Sequence, residues 1–246
     1  MVAGACFQAV YLWDSRRQRP VRKLRGFVGS VECLDWSPHD GLLAVGDNSG
    51  RVQVLDGASG RVTRTIQAHA GTMHALAWSP DGRQVATSPS GGASPASVTL
   101  WWASTGEVAM NYRGHSYEVY DLSWSPTGRL IASAGGDPFA SARRQTARRQ
   151  TARRQAGPTG RRQSSDDDND NGDDGDTVHV WEAATGARIA MYAGHADVVS
   201  CVAWSPEGRS IASGSWDATV HVWTAPWDTP LDMLATRAGP DPSRSC

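Results

Sequence analysis

An all-β chain assembled from repeated antiparallel sheets is the fold class that this sequence predicts, on three observations. Tryptophan is far above ordinary usage at 11 residues, and eight of the eleven fall at two recurring places. Short runs alternating between apolar and polar residues recur between turns rich in Gly and Pro. No long segment carries apolar residues at i, i+3, i+4 and i+7, and 26 Gly and 13 Pro interrupt the chain too often for helices. Almost no helix is expected.

The stretch from Gly194 to Trp223 shows the unit most fully. DVVSCVAW alternates, SPEG is a turn, RSIAS is a short second run, and SWDA is a further turn before TVHVW. That is three strands at hairpin spacing. His195 stands nine residues before Trp204, and Phe27 before Trp36, His69 before Trp78 and His115 before Trp124 keep the same nine. Those four tryptophans, Trp36, Trp78, Trp124 and Trp204, end first strands at intervals of 42, 46 and 80 residues. The first two intervals lie near the roughly 40 to 45 residues of a four-stranded propeller blade, and the third contains an insertion. Trp13, Trp101, Trp181 and Trp223 end third strands, while Trp102, Trp216 and Trp227 fall outside the pattern.

Gly-His, then WSPDG or a near relative, then a TVxVW strand resemble the WD repeats of the β-propeller class, from about Val10 to Trp223 apart from the insertion. The resemblance implies a β-propeller of about four full blades plus an N-terminal half-blade, in a ring that stays incomplete or takes its missing blades from another chain. Residues 1–27 form the half-blade and 28–225 the blades, interrupted by an insertion over 134–176; a tail covers 226–246.

In chain order, Val10 to Trp13 and Pro20 to Leu24 read as the third and fourth strands of a blade whose first two are absent. The next copy keeps the strand pattern with Phe27 in place of His, Val45 in place of the second-strand Ser, and Leu55 in place of Trp. The following copy retains His69, Thr87 and Trp101, but its turn is widened to SPSGGASPAS, with Pro95 where Asp belongs. The next begins with His115 and Ser133, then breaks off into residues 134–176 before Trp181 resumes the third strand. That insertion holds eight arginines between Arg143 and Arg162, then seven aspartates between Asp166 and Asp176. It is of low complexity and nearly free of apolar residues, and is expected to be disordered.

The resemblance implies a structural tetrad of His195, Ser213, Asp217 and Trp223, linked from Trp through Ser to His to Asp, with partial sets at His115, Ser133 and Trp181 and at His69, Thr87 and Trp101. Each set keeps a partly buried carboxylate or hydroxyl paired at a loop-to-strand junction. Ser213, His195 and Asp217 also have the composition of a hydrolase triad, but recurrence along the chain argues for a structural role, since catalysis needs one set and an oxyanion hole. His179 and His221 alternate with valines in two VHVW strands, which explains them without metal. No phosphate-binding Gly loop, HExxH or EF-hand pattern is present, so neither an enzyme nor a cofactor is expected.

The expected role is that of a scaffold for protein partners, which the family resemblance places on the face formed by loops between blades and by turns between second and third strands. Tyr117, Glu118, Asp197, Trp216 and the Ser88 to Ala96 turn are the candidate contacts, with Trp216 foremost because exposed aromatics anchor interfaces. Nucleic acid is the rival partner for the arginine-rich insertion, opposed by the neighbouring aspartates; a repeat segment of a larger signalling protein is the other alternative. The net charge of -1 sums a basic and an acidic segment and decides nothing. Four cysteines without a CxxC pair suggest reduced thiols and a cytoplasmic setting. No run is long enough to span a membrane.

Overall fold

The computed structural model describes residues 1–90, 96–139 and 176–226. Eighteen strands and no helix are present among them, in five antiparallel sheets. The first sheet joins β1 (Val2–Cys6), β2 (Ala9–Asp14) and β3 (Arg19–Leu24). The second holds β4 (Val31–Trp36), β5 (Leu42–Asp47), β6 (Arg51–Asp56) and β7 (Val62–Gln67), and the third β8 (Met73–Trp78), β9 (Gln84–Pro89), β10 (Ala96–Trp102) and β11 (Val108–His115). The fourth holds β12 (Glu118–Trp124), β13 (Leu130–Gly136), β14 (Thr177–Glu182) and β15 (Arg188–Tyr192), and the fifth β16 (Val199–Trp204), β17 (Ser210–Ser215) and β18 (Val220–Thr224). Strands follow chain order within every sheet.

Each tryptophan expected to close a first strand does so, at the ends of β4, β8, β12 and β16. The core lies between sheets. Four buried clusters are each drawn from two consecutive sheets: Val10, Leu12 and Leu43; Val52, Val54 and Trp78; Leu100, Ile131 and Trp181; and Val178, Val180 and Ile211 exemplify them. Hydrogen bonds cross the same junctions: Trp78 Nε1 donates to Asp35 O at 3.1 Å and Trp124 Nε1 to Ala77 O at 3.2 Å. At the last junction Val202 N donates to Asp121 Oδ2 at 2.9 Å and Trp204 N to Ser123 Oγ at 3.0 Å. Burial raises the carboxyl pKa of Asp121, and of Asp35 where Trp78 N donates to it at 2.8 Å. The succession of sheets is not closed into a ring.

One repeated sequence shows what the neighbours contribute. TVHVW occurs in β14 and again at β18; Val178 and Val180 are 0% exposed, whereas the aligned Val220 and Val222 are 72% and 70% exposed. The fifth sheet covers the fourth, and nothing among the described residues covers the fifth. Cys201 is exposed for the same reason, while the thiol pKa of Cys33, between the second and third sheets, is pushed up to about 12 by burial and by the charge of Glu32.

Two boundaries differ from the sequence reading. The opening sheet has three strands, not two: β1 pairs with β2 from Val2 opposite Trp13 to Cys6 opposite Ala9. Its small residues VAGAC lack β-branched alternation, and its turn places Phe7 at φ 50° instead of the Asn-Gly or Asp-Gly pair that marks such hairpins. The insertion also begins later than residue 134. Ala134 to Asp137 are buried, Gly135 pairs with Thr177, and Asp176 is 8% exposed at the return. The arginine-rich run and most of the aspartate run lie outside the described residues, as does the tail from residue 227. No described helix is long and apolar enough to cross a membrane.

These boundaries set where the insertion is removable. Replacing residues 140–175 by Gly-Asn should leave the urea midpoint unchanged, since the pairing of Gly135 with Thr177 already closes the hairpin. Extending the cut to 137–176 removes buried Asp137 and Asp176 and should lower the midpoint. Equal midpoints for the two variants would contradict this boundary.

Candidate functional site

The junction side chains come first, because they fix the surface above them. Register sets Ser133 opposite His179, Ser213 opposite His221 and Thr87 opposite Thr99. A histidine preceding the first strand then reaches the hydroxyl: His115 Nε2 lies 2.7 Å from Ser133 Oγ, His195 Nε2 2.9 Å from Ser213 Oγ, and His69 Nε2 2.8 Å from Thr87 Oγ1. Trp181 Nε1 donates to Ser133 Oγ at 3.0 Å and Trp101 Nε1 to Thr87 Oγ1 at 2.9 Å. An indole N–H can only donate, so Ser133 and Thr87 accept from Trp, and each hydroxyl keeps its proton and a second lone pair for its other contacts, the His Nε2 among them. His69 and His115 are neutral. Burial enforces this, lowering the pKa of His69 to about 4 and that of His115 well below the usual value.

In the fifth sheet His195 Nδ1 donates to Asp217 Oδ2 at 3.0 Å, and Ala196 N donates to the same oxygen at 2.9 Å. The Thr219 hydroxyl, the Ala196 and Thr219 amides and His195 hold the Asp217 carboxyl well below the usual carboxylate range. Trp223 does not complete the set. Its Nε1 makes no hydrogen bond, and the ring lies on Tyr192 at 4.9 Å and 6° in a sheet with no described fourth strand. The link from Trp through hydroxyl to His is thus intact in the third and fourth sheets, not in the last copy.

The larger arrangement was not anticipated. Tyr112, on the last strand of the third sheet, stacks on Trp181 at 4.4 Å and 2°, meets His115 and His179 edge-on, and shares a 2.9 Å hydrogen bond between its hydroxyl and His179 Nδ1. His115 and His179 stack at 3.9 Å. Tyr192, Trp223, His195 and His221 repeat the pattern one sheet on, with the imidazoles 4.1 Å apart. The signal was the spacing Tyr-x-x-His ahead of each VHVW strand. His179 and His221 thus pack inside these stacks, and no group that could hold a metal occurs among the described residues. Asp137, four residues after Ser133 as Asp217 is after Ser213, was also missed; it is 2% exposed and accepts from Phe139 N at 2.9 Å.

The second sheet fills the aligned positions with Leu24, Phe27, Val45 and Leu55, all buried and in one apolar cluster. Replacing both partners of a polar contact by apolar groups is nearly neutral, whereas removing one is not.

At the end of the sheets where first strands begin and second strands finish, the candidate contacts lie near one another. Glu118 Oε2 accepts from Tyr120 OH at 3.0 Å and from His74 Nε2 at 3.2 Å, and His74 packs on Tyr120 at 4.9 Å. Trp216, 54% exposed, leans on Tyr120 from the next sheet at 5.9 Å and 53°. Burial and then Glu118 raise the pKa of Tyr120. Tyr117 and Asp197 are half-buried in the turns before β12 and β16, and Ser215 Oγ donates to Asp197 O at 2.8 Å. His74 and Tyr120 went unremarked because outward alternation in a first strand has no distinctive signal. Ser88 does not belong to this surface: it is 0% exposed, and its hydroxyl donates to Val119 O at 2.9 Å.

Family models agree with this architecture. The "WD domain, G-beta repeat" model matches residues 106–139 and 186–224, and the "Anaphase-promoting complex subunit 4 WD40 domain" model matches 12–81. The chain belongs to the WD-repeat family. WD-repeat relatives include Periodic tryptophan protein 2 of Saccharomyces cerevisiae, 35% identical over 72 residues, covering 26% of this chain and 8% of the relative. Guanine nucleotide-binding protein subunit beta-5b of Danio rerio is 44% identical over 46 residues, 19% of this chain and 12% of the relative. Serine-threonine kinase receptor-associated protein of Dictyostelium discoideum is 46% identical over 46 residues, 19% and 16% of the two chains. The matches therefore span a small part of each relative. WD-repeat proteins are generally scaffolds for protein interaction.

Two measurements test the junction. Ser133→Ala leaves the Trp181 indole and the His115 imidazole without their shared partner and should cost on the order of 2–6 kcal/mol in urea unfolding, at about 1–3 kcal/mol for each buried group; a loss below 1 kcal/mol would show that the network carries little stability. For acid, the sign follows from the lowered His pKa values. The unfolded chain takes up protons near pH 6.5 while folded His69 waits until about 4, so stability should fall as pH drops through that window. His69→Gln should flatten the slope, and parallel slopes would rule His69 out as its source.

Proposed function

We propose that this chain is a non-catalytic WD-repeat scaffold in a signalling or regulatory assembly, binding a protein partner through the face that bears Tyr117, Glu118, Asp197 and Trp216. The observation that carries this reading is Trp216, a large ring 54% exposed on a turn and backed by Tyr120 of the adjacent sheet. A preordered aromatic of this kind loses little conformational freedom on binding. The names of two relatives, a guanine nucleotide-binding protein subunit and a receptor-associated protein, support membership of an assembly. Against catalysis, Ser213 is 1% exposed and His221 lies flat on His195 at 4.1 Å, leaving a substrate no approach to the hydroxyl. The described cysteines, Cys6, Cys33 and Cys201, are unpaired, which supports a cytoplasmic setting.

Trp216→Ala should leave the melting temperature unchanged and deplete specific partners at least tenfold in affinity purification with mass spectrometry, as expected when an interface anchor contributing about 2 kcal/mol is lost. An unchanged partner set would overturn the reading.

Self-association is a second reading, favoured by the bare valines of β18. Val220 and Val222 occupy positions that another sheet covers in β14, and an exposed apolar face invites association. Light scattering should give a concentration-dependent mass above 26.3 kDa that falls in the Val220→Lys, Val222→Lys double variant. A single 26.3 kDa species at all concentrations would overturn it.

A further inference from the structure

Among the described residues the first sheet lacks the first strand that the other four sheets have. β2, reading AVYLWD, aligns with the third strands RVQVLD of β6 and TVHVWE of β14, and it pairs with β1 on one side and β3 on the other. β1 therefore holds the second-strand position, and no strand among the described residues occupies the edge that β4, β8 and β12 take in the next three sheets. The neighbouring sheet is built for an occupant. Trp78 and Trp124 send their indole N–H to the carbonyls of Asp35 and Ala77, residues of the preceding first strand that lie opposite Ala44 and Ala86. The residue of β1 aligned with those alanines is Ala3, and Trp36 Nε1, buried at the same junction, has no hydrogen-bond partner. Trp204 also leaves its indole unpaired, where side chains of β12 take over the junction, so the strand count and not the indole alone carries the inference.

A seat for an aromatic side chain adjoins the edge. Trp36 packs on Gly57, just after the third strand; Trp78 shares a cluster with Ala103, Trp124 with Ala183 and Trp204 with Ala225, at the same offset. The aligned residue after β2 is Ser15, and it lines a depression of about 420 Å³ with Met1, Asp14, Val21 and three arginines, Arg16, Arg17 and Arg19.

We propose that the free edge of β1 binds an extended peptide segment of a protein partner, antiparallel to Val2–Cys6, with alternating apolar residues and a terminal aromatic ring seated beside Ser15. The occupant has the pattern of a first strand: its carbonyl opposite Ala3 accepts from Trp36 Nε1, its backbone completes the ladder, and its aromatic fills the depression. Main-chain hydrogen bonds supply affinity and the alternate side chains specificity, as in strand addition generally. This site is separate from the face around Trp216.

The test uses the 246-residue chain and a fluorescent synthetic peptide, TMHALAWS, with the sequence of residues 72–79. Saturable anisotropy and new hydrogen-exchange protection at Val2–Cys6 are expected. Replacing the peptide tryptophan by alanine, methylating alternate peptide nitrogens, or filling the seat with Ser15→Phe should each weaken binding at least tenfold. Trp36→Phe should weaken it about two- to tenfold, the worth of one net hydrogen bond. Trp216→Ala should bind the peptide normally, which separates this proposal from the partner-face reading. No binding, protection confined to β18, or equal binding of a scrambled peptide would overturn the proposal, as would protection of β1 before peptide addition in a concentration-dependent species, which would assign the edge to a second copy.

Discussion

Burial between consecutive sheets is the constraint on which the rest of the structure depends. A sheet of this kind is apolar on both faces and makes no core alone, so its stability is a sum of contributions from its neighbours. The two TVHVW segments show the size of that dependence, because one sequence buries both valines completely in β14 and leaves both mostly exposed in β18. At about 25 cal/mol per Å² of apolar surface, covering such a pair of valines is worth a few kcal/mol, more than any single surface hydrogen bond. Exposed sheet faces and edges at the two ends of the succession follow from the same requirement.

Within that constraint the chain uses two chemistries at the same junction. The second sheet closes it with Leu24, Phe27, Val45 and Leu55, and the fourth closes it with Tyr112, His115, Ser133, His179 and Trp181. The apolar version needs only volume. The polar version needs every donor matched, because a buried imidazole without its hydroxyl costs more than the contact contributes. What the polar version adds is direction: stacked rings and three hydrogen bonds fix the turn above them in one arrangement. Its sensitivity to acid is the consequence, since a neutral buried imidazole has to be protonated when the chain unfolds below pH 6.5.

The sequence was most legible where periodicity and a rare residue coincided. An offset of nine from His, or from Phe27 in the first copy, to a Trp at a strand end located β4, β8, β12 and β16. It was least legible where a strand was made of small residues, as in β1, because Ala and Gly give neither alternation nor β-propensity. The onset of the arginine repeats hid Asp137, which follows Ser133 at the same four-residue offset as Asp217 follows Ser213. Trp223 shows a different limit. Spacing permits its link to Ser213, but whether the indole reaches the hydroxyl depends on how the ring packs, which no local pattern encodes.

The distribution of these junctions bears on where binding occurs. Trp216 and Tyr120 belong to the fifth and fourth sheets, joined by the Asp121 and Ser123 bonds and by the stack of Tyr192, Trp223, His195 and His221, so the exposed ring stands on a junction held by directional contacts. A binding surface gains affinity when its supporting residues are already held in place, because less freedom is lost on association. The apolar junction lies at the other end, beside the free edge of β1, where an incoming strand brings its own order and needs from the protein only an open ladder, a seat for one ring and volume. Rigid polar packing beneath a preformed face and adaptable apolar packing beside an open edge suit two different kinds of recognition.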